Sequence, residues 1–299
     1  FDVVFSLSEA SAKDISFDVA TADGTADSSD YQAVSTTLSI PAGSTSVTQG
    51  FSVLQDELDE NNEAFSVNIS NLANVTAANA SANFTIVDDD GSPNISFNNV
   101  SATEGGAVSI AVQLSNESAL AVTVDYQTTD GTAQAGEDYS AASGTVTFAP
   151  GELTKTISLS SLDDQVDEEN ETFVVNFSNA QNADLVANSL TVTLLDNDVS
   201  PTISSANVAV DEGSAAEITF NLSAVSAKTV SLAYATSDGS ALASEDYTAS
   251  SGTVTFAPGE LNKTISIATT DDSKDESTES FNVNLSNQSN ASLAQSRLT

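Results

Sequence analysis

A ten-residue segment that occurs twice, letter for letter, most limits what this chain can fold into. The sequence GTVTFAPGEL begins at residue 144 and again at residue 252, which is 108 residues later. A weaker copy places Ile40 where the later copies have Phe148 and Phe256, at the same period. Because a period of this size matches one small domain, the sequence predicts three similar units in tandem.

Other residues keep the same period. They are Asp30, Asp138 and Asp246, each followed by Tyr; Asp56, Asp164 and Asp272; and Phe65, Phe173 and Phe281. The units are predicted to span residues 1–92, 93–200 and 201–299. The second is complete, whereas the first lacks its opening strand and the third lacks its last strand and terminal acidic triplet. A fragment cut from a longer protein explains this most simply, and exchange of strands between neighbouring chains is the alternative.

Each unit is predicted to consist of β-strands. Segments such as VSIAVQL and TVTFAP alternate apolar with small polar residues, which is the period of a half-buried strand. Turn-forming pairs such as Asp130-Gly131 and Pro150-Gly151 separate these segments. About seven short strands per unit favour an all-β fold of tandem Ig-like antiparallel β-sandwiches. The recurring aromatic residues are assigned to the core, in the second unit Tyr126, Phe148, Phe173 and Phe177.

The charge of the chain restricts its partners. There are 43 acidic and 6 basic residues, for a formal charge of −37, and there is no His or Cys. Such a chain repels nucleic acid and anionic membrane surfaces and attracts cations. No run of about 20 apolar residues is present, so no insertion into a membrane is expected.

Acidic residues concentrate at positions that a sandwich brings to one end. Between Asp163 and Asn170, and at Glu171 beyond them, the loop is rich in carboxylates and has no basic residue. Glu104, Asp138 and the segment 196–198 occupy other predicted loops of the same unit. Since the loops of a sandwich gather at its two ends, we expect these acids to lie together at one tip.

A crowd of carboxylates without basic neighbours indicates a metal site. Ca²⁺ takes about six to eight oxygen ligands, whereas Mg²⁺ keeps more of its waters. A chain without His or Cys lacks the ligands that Zn²⁺ and Cu prefer. The sequence therefore predicts Ca²⁺ as the cofactor, with several ions sharing carboxylates. The alternative is a solvated acidic face, but the recurrence of the acids at fixed offsets favours the metal.

These motifs taken together resemble those of the Calx-β family. The series DYxTxDGTAxAGxDY, GTVTFxPGE, DDxxxExxExF and DND runs through the second unit and, in part, through the other two. Calx-β repeats occur in the regulatory region of sodium–calcium exchangers, in some integrin tails and in large bacterial surface proteins. The resemblance implies an Ig-like sandwich that binds Ca²⁺ in its distal loops.

The resemblance also implies a set of metal ligands. In the second unit these are Glu104, Asp138, Asp163, Asp164, the backbone carbonyl of Val166, Glu168, Asp196 and Asp198, with Asn197 offering one neutral oxygen. In the first unit they are Asp30, Asp56, Glu60, Asp88, Asp89 and Asp90. In the third unit they are Glu212, Asp246, Asp271, Asp272 and Glu276. Gln55 replaces an acid in the first unit, and Lys274 is expected to neutralise part of the third loop.

The junctions between units are short, which suggests a mechanical role. Only Val199, Ser200 and Pro201 separate the acids of the second unit from the first strand of the third, and a linker of this kind is stiff. We expect Ca²⁺ to hold the loops of one unit beside the next, so that the array becomes a rod. The expected function is a calcium-binding stalk module of a surface or adhesin-like protein.

Two other non-catalytic functions stay open. One is an adhesive module that binds a glycan or a protein, with a cell-surface or matrix partner. The other is a Ca²⁺ sensor of a transporter. Besides calcium ions, the expected partners are the neighbouring domains of the same chain. The composition, poor in Lys and rich in Asp, Ser and Thr, resembles that of secreted surface proteins, so the expected location is extracellular.

Catalysis is not expected from this sequence. Paired carboxylates can hydrolyse glycosides, but these acids recur in every unit, whereas a catalytic site is normally built once. The absence of His and Cys removes the usual bases and nucleophiles.

Overall fold

The computed structural model describes residues 1–299 as 23 β-strands without a helix. The strands form three consecutive groups, and each group encloses its own hydrophobic core. The predicted fold class, all-β with tandem Ig-like antiparallel sandwiches, is confirmed. The structure contains no helix with the length and apolar character needed to cross a lipid bilayer.

The first unit contains six strands. They are β1 (Asp2–Ser6), β2 (Ile15–Asp23), β3 (Ser35–Ile40), β4 (Ser46–Gly50), β5 (Glu63–Ala73) and β6 (Ser81–Ile86). Strands β3, β2, β5 and β6 form one antiparallel sheet in that order, and β1 pairs with β4 in the other. Buried side chains such as Val19 and Phe65 fill the space between the two sheets.

The second unit contains nine strands. They are β7 (Asn94–Ser96), β8 (Val100–Thr103), β9 (Ala107–Leu114), β10 (Val122–Thr129), β11 (Ser143–Phe148), β12 (Thr154–Ser160), β13 (Glu171–Gln181), β14 (Asp184–Leu185) and β15 (Ser189–Leu195). One sheet has the order β11-β10-β13-β15-β8, and the other has the order β12-β9-β7-β14.

The third unit contains eight strands. They are β16 (Thr202–Ser205), β17 (Ala215–Leu222), β18 (Val230–Ser237), β19 (Ser251–Phe256), β20 (Asn262–Ala268), β21 (Asn282–Ser289), β22 (Ser292–Leu293) and β23 (Arg297–Leu298). Its sheets have the orders β20-β17-β16-β22 and β19-β18-β21-β23. Both orders match those of the second unit, without a counterpart of β8.

The second unit has nine strands where seven were expected, because its opening segment is divided between the two sheets and because the two-residue strand β14 adds one more. Strand β7 pairs antiparallel with β9 in one sheet, whereas β8 pairs parallel with β15 in the other. Phe97 lies at the crossing, and its ring stacks on Phe177 with 4.0 Å between centroids. This crossing puts the end of β8 beside the end of β15.

Alternating burial shows how the sequence specifies the core. Strand β9 alternates exposed and buried residues along its whole length, which is the period that a sandwich face requires. The aromatic residues Phe148, Phe173 and Phe177 are buried, as expected. Tyr126 is only partly buried and packs against the edge of the same core.

Candidate calcium site

Two clusters of three carboxyl groups lie in the second unit. Glu104, Asp196 and Asp198 form one, which we call the terminal cluster, and Asp138, Glu168 and Glu171 form the other, the loop cluster. Within each cluster one oxygen of every residue lies within 4.8 Å of the others. The first unit has a loop cluster of Asp30, Glu60 and Glu63, and the third has one of Asp246, Glu276 and Glu279.

Core packing positions the loop cluster. The ring of Tyr139 stacks on Phe173 with 4.0 Å between centroids, and this places the preceding Asp138 above the start of β13. Glu171 lies two residues before Phe173 in that strand, so the two side chains share a face. The backbone N–H of Gln134 donates to Asp138 Oδ2 at 2.6 Å and fixes the orientation of that carboxylate.

Parallel pairing positions the terminal cluster. The register of β8 and β15 sets Thr103 opposite Leu195, so the residues that follow, Glu104 and Asp196, leave the sheet side by side. The backbone N–H of Glu104 donates to the Leu195 carbonyl oxygen at 3.1 Å. Within the turn, the N–H of Asp198 donates to Asp196 Oδ1 at 3.2 Å.

Two oxygens of the terminal cluster are buried without a hydrogen-bond partner. They are Glu104 Oε1 and Asp198 Oδ2. An unsatisfied buried polar group costs about 1–3 kcal/mol, and more if it is charged. Carboxylate oxygens that lie close together without a hydrogen-bond donor are the kind of ligands that a hard divalent cation binds. The residues present therefore fit Ca²⁺, and a cation held by both carboxylates would remove this cost.

The proton affinities of these groups reflect the same crowding. Burial, followed by the adjacent Asp198 carboxyl, raises the pKa of Glu104 to about 7. Burial and the charge of Asp138 raise the pKa of Glu171 to about 7. In the first unit, burial and the neighbouring Asp30 raise the pKa of Glu63 to about 7. Each of these carboxyls therefore holds a proton more tightly than an exposed one when no cation is bound.

A repeated contact, which we call a joint, connects consecutive units. Asp59 of the first unit accepts a hydrogen bond of 2.7 Å from the hydroxyl of Ser118 in the second. Asp167 of the second unit accepts one of 2.9 Å from Ser226 in the third. The four residues are between 2% and 6% exposed. Each joint is therefore buried and built from the same residue types at the same positions.

The twice-repeated GTVTFAPGEL segment supports both joints. Gly151 and Gly259 have φ values of 77° and 81°, which favour glycine because other side chains are strained there. Their N–H groups donate to the carbonyl oxygens of Ser118 and Ser226, each at 3.0 Å. The most strictly repeated motif in the sequence thus holds the serine of each joint.

The joint between the second and third units also contains an ion pair. Lys228 Nζ lies 2.9 Å from Asp167 Oδ1 and 3.4 Å from Asp196 Oδ2. Burial alone would raise the pKa of Asp167, but the hydrogen bonds from Lys228 and Ser226 outweigh it and lower that pKa below its usual value. Asp196 belongs to the terminal cluster, so this lysine connects the joint to the candidate metal site.

The Calx-beta domain model matches residues 2–90, 93–198 and 199–298 of the chain. The chain belongs to the Calx-beta domain family. Family membership and the carboxylate clusters confirm Ca²⁺ as the cofactor that the sequence predicts.

Several curated proteins share this Calx-beta sequence. Sodium/calcium exchanger 1 of Rattus norvegicus is 30% identical over 189 residues, which are 54% of this chain and 19% of the exchanger. Sodium/calcium exchanger 2 of Homo sapiens is 32% identical over 193 residues, which are 54% of this chain and 20% of the exchanger. The chain thus spans about a fifth of the length of these relatives.

Solved structures of Calx domains are also similar. CBD12 from CALX1.2 is 26% identical, with 65% of this chain and 80% of that chain covered and a TM-score of 0.35. The apo-form Calx CBD1 domain is 29% identical, with 36% of this chain and 98% of that chain covered and a TM-score of 0.33.

The structure brings most of the predicted ligands into one cleft in each Calx-beta unit. In the first unit the cleft is lined by Asp30, Asp56, Glu60, Asp88, Asp89 and Asp90. In the second it is lined by Glu104, Asp138, Asp164, Glu168 and Asp196, with Asp198 in the terminal cluster. In the third it is lined by Glu212, Asp246, Asp271 and Glu276.

Four predicted residues lie outside these clefts, and they make other contacts. The backbone N–H of Val166 donates to Asp164 Oδ1 at 2.7 Å, which closes a turn of the acidic loop. In the third unit the residue outside the cleft is Asp272, whose Oδ2 lies 3.1 Å from Lys274 Nζ. The same Lys274 nitrogen lies 3.8 Å from Glu276 Oε1. This lysine therefore neutralises part of the third loop, as the sequence predicts. The other two residues, Asp163 and Asn197, contact each other.

An amide and an acid exchange places between the first two Calx-beta units. In the first unit Gln55 Nε2 donates to Asp89 Oδ1 at 2.7 Å. In the second unit, at the same two positions, Asn197 Nδ2 lies 3.4 Å from Asp163 Oδ1. Each unit therefore keeps one acid and one amide at this contact. The substitution by Gln55 does not reduce the number of carboxylates relative to the second unit.

The sequence prediction missed three glutamates of the loop clusters, Glu63, Glu171 and Glu279. The signal was present, because these residues keep the 108-residue period and occupy the last Glu of the DDxxxExxExF pattern. The prediction also missed the joint aspartates Asp59 and Asp167, which precede the glutamates Glu60 and Glu168 of the clusters.

Metal-free protein is expected to lose stability as the pH rises from about 4.5 to about 7. Glu104 and Glu171 have a usual pKa of 4.5 and a folded-state pKa of about 7. Because the folded state binds these protons more tightly, their contribution to stability is complete below pH 4.5. It is lost as the pH passes through the folded-state pKa.

Thermal melts in metal-free buffer, between about pH 5 and pH 8, measure this dependence. The double variant Glu104→Gln, Glu171→Gln cannot titrate at these positions and should show a flatter profile. A melting temperature of the native chain that rises over this range relative to the double variant would contradict the prediction.

The substitution Glu171→Gln is expected to weaken Ca²⁺ binding at least about tenfold, equivalent to about 1.4 kcal/mol. It removes one of the three charges of the loop cluster and leaves the size of the side chain almost unchanged. Glu169→Gln is the comparison variant, since Glu169 is an exposed residue of the same loop that lines the cleft but lies outside the three-carboxyl cluster. Calcium titration calorimetry measures both, and equal affinities would exclude Glu171 as a ligand.

Proposed function

We propose that the chain is a calcium-binding Calx-beta array in which Ca²⁺ bound at the tips of the units stiffens the array. The observation that carries this proposal is the adjacency of the joint and cluster residues. Asp167 faces the third unit, whereas Glu168, the next residue, faces the loop cluster. Asp59 and Glu60 have the same arrangement at the earlier junction.

Mutual repulsion within the acidic loop explains why a cation would stiffen the joint. Two like charges about 4 Å apart repel by about 1–4 kcal/mol, depending on the local dielectric. At the earlier junction Glu60 belongs to a cluster of three such charges, so its repulsion strains the loop that also carries Asp59. When bound, Ca²⁺ supplies the positive charge that holds these carboxylates together. Asp59 is then held in the position from which it accepts the Ser118 hydrogen bond.

Small-angle X-ray scattering with and without a calcium chelator tests this proposal. We expect the Ca²⁺-bound chain to have a larger and better-defined maximum dimension than the metal-free chain, because flexible joints allow the units to fold back. An unchanged maximum dimension, with calorimetry showing that Ca²⁺ is bound, would refute the stiffening.

We assign this array to an extracellular or cell-surface protein, as a stalk without catalytic activity. Repetition of the joint at both junctions supports a stalk, since the same contact can extend an array by one unit at a time. A second candidate is a Ca²⁺ sensor attached to a transporter, and the matches to sodium/calcium exchangers favour it.

Affinity for Ca²⁺ separates these two candidates. In known calcium-binding modules, cytosolic sensors have Kd values of about 10⁻⁷–10⁻⁵ M and extracellular modules about 10⁻⁴–10⁻³ M. Calorimetry on the full chain therefore distinguishes a stalk that is saturated outside the cell from a sensor that responds to cytosolic changes. Capture of a glycan or a protein by the chain would instead support the adhesive alternative.

A further inference from the structure

Lys228 is exceptional among the basic residues of the chain. Of the six basic residues, three others form ion pairs, and each of those pairs lies within a single unit: Lys155 with Glu152, Lys263 with Glu260, and Lys274 with Asp272 and Glu276. Lys228 alone pairs across a junction, from the third unit to Asp167 and Asp196 of the second.

The burial of this ion pair makes it more than a surface contact. The side chain of Asp167 is 2% exposed, that of Asp196 is 10% exposed, and that of Lys228 is 16% exposed. Exposed pairs contribute little because water and salt screen them, whereas buried pairs are screened much less. The Lys228 backbone N–H also donates to the Ser226 hydroxyl at 3.1 Å, so the lysine is fixed to the serine of the joint.

The earlier junction has the same joint without the cation. Leu120 occupies the position that corresponds to Lys228, and its N–H likewise donates to the Ser118 hydroxyl at 3.1 Å. The carboxylate of that joint, on Asp59, accepts hydrogen bonds from two serine hydroxyls and has no ion-pair partner, with 2.7 Å to Ser118 and 3.4 Å to Ser92. The two junctions therefore differ by one positive charge at an otherwise conserved contact.

We propose that Lys228 is a built-in cation that closes the joint between the second and third units without Ca²⁺ and that competes with Ca²⁺ for Asp196. The ammonium group of Lys228 already neutralises Asp196, one carboxylate of the terminal cluster. A divalent ion bound in that cluster would therefore share Asp196 with the lysine and be repelled by its positive charge. The joint at Leu120 has no such substitute and depends on added cation. The array then has one permanently stiff junction and one junction that responds to Ca²⁺.

This inference rests on the proposed calcium function only in its second half, because the closed joint is a property of the metal-free chain. The two halves need separate measurements. Since the chain has no cysteine, a cysteine can be introduced at any two of Ser39, Thr147 and Thr255 to carry a pair of spin labels. These are exposed residues at equivalent positions in the three units. Distances between labels report each junction by electron–electron double resonance.

In metal-free buffer, we expect the 147–255 distance distribution to be narrower than the 39–147 distribution. The substitution Lys228→Leu copies the earlier junction and should broaden the 147–255 distribution, whereas Lys228→Arg, which keeps the charge, should not. The reciprocal substitution Leu120→Lys should narrow the 39–147 distribution. A metal-free 147–255 width that is the same in the native chain and in Lys228→Leu, with both folded by circular dichroism, would overturn the inference.

Calcium titration calorimetry tests the competition. Lys228→Leu should bind Ca²⁺ at the second unit about tenfold more tightly than the native chain, as expected when a buried like charge is removed. Unchanged affinity would overturn the competition with Ca²⁺. If no variant binds Ca²⁺, the proposed calcium function fails, and the metal-free label distances still decide whether Lys228 closes the joint.

Discussion

Removing Ca²⁺ from the chain is expected to lower the melting temperature of the second unit by about 10 °C or more. A ligand at a hundred times its Kd stabilises the folded state by about 2.7 kcal/mol for each site. For a domain of about 100 residues, each kcal/mol corresponds to about 4–8 °C. The second unit should respond most strongly because it alone has both a terminal cluster and a loop cluster.

Differential scanning calorimetry of the full chain, with Ca²⁺ and with chelator, measures this shift. Mg²⁺ at the same concentration is the control, because it prefers octahedral geometry and retains its waters. The third unit should shift least, since Lys274 already pairs with Asp272 and Glu276. Identical melting curves with Ca²⁺ and with chelator would show that the carboxylate clusters are merely solvated acids.

The substitution Asp167→Ala is expected to open the joint between the second and third units. It removes one partner of a buried ion pair, a change that typically costs about 3–5 kcal/mol. It also leaves the buried hydroxyl of Ser226 without its side-chain acceptor. Because Asp167 contacts the neighbouring unit, the loss should appear in the association of the units, with a smaller effect on the folding of either one.

Asp275→Ala is the matched control for this substitution. Asp275 is the counterpart of Asp167 in the third unit and is exposed. The distance distribution between labels at Thr147 and Thr255 should broaden in Asp167→Ala and stay unchanged in Asp275→Ala. Equal broadening in both variants, or in neither, would show that the contact between Asp167 and Ser226 does not hold the units together.

Much of the fold follows from local signals in the sequence. Strand β9 alternates buried and exposed residues as its sequence does, and the 108-residue period gives three copies of the same core. The split of the opening segment into β7 and β8 could not be predicted. It depends on a parallel pairing of β8 with β15, and those residues lie about 90 positions apart in the chain.

The candidate site was predictable in composition but only partly in detail. Loops of a sandwich gather at its ends, so the meeting of Asp138 with the acidic loop follows from the fold class. The opposite roles of Asp167 and Glu168 do not follow from the fold class. Both are acids in one loop, and only the position of the next unit shows that one faces Ser226 and the other faces the cluster.

The exchanged amide and acid make two positions that are distant in the chain depend chemically on each other. Gln55 goes with Asp89, and Asp163 goes with Asn197. A recombination between repeats with a crossover inside the segment 56–88 would join Gln55 to the counterpart of Asn197, or Asp163 to the counterpart of Asp89. The first hybrid has two amides and the second has two acids. Tandem repeats of this kind can therefore exchange whole units freely, whereas exchange of half a unit changes the charge at the tip.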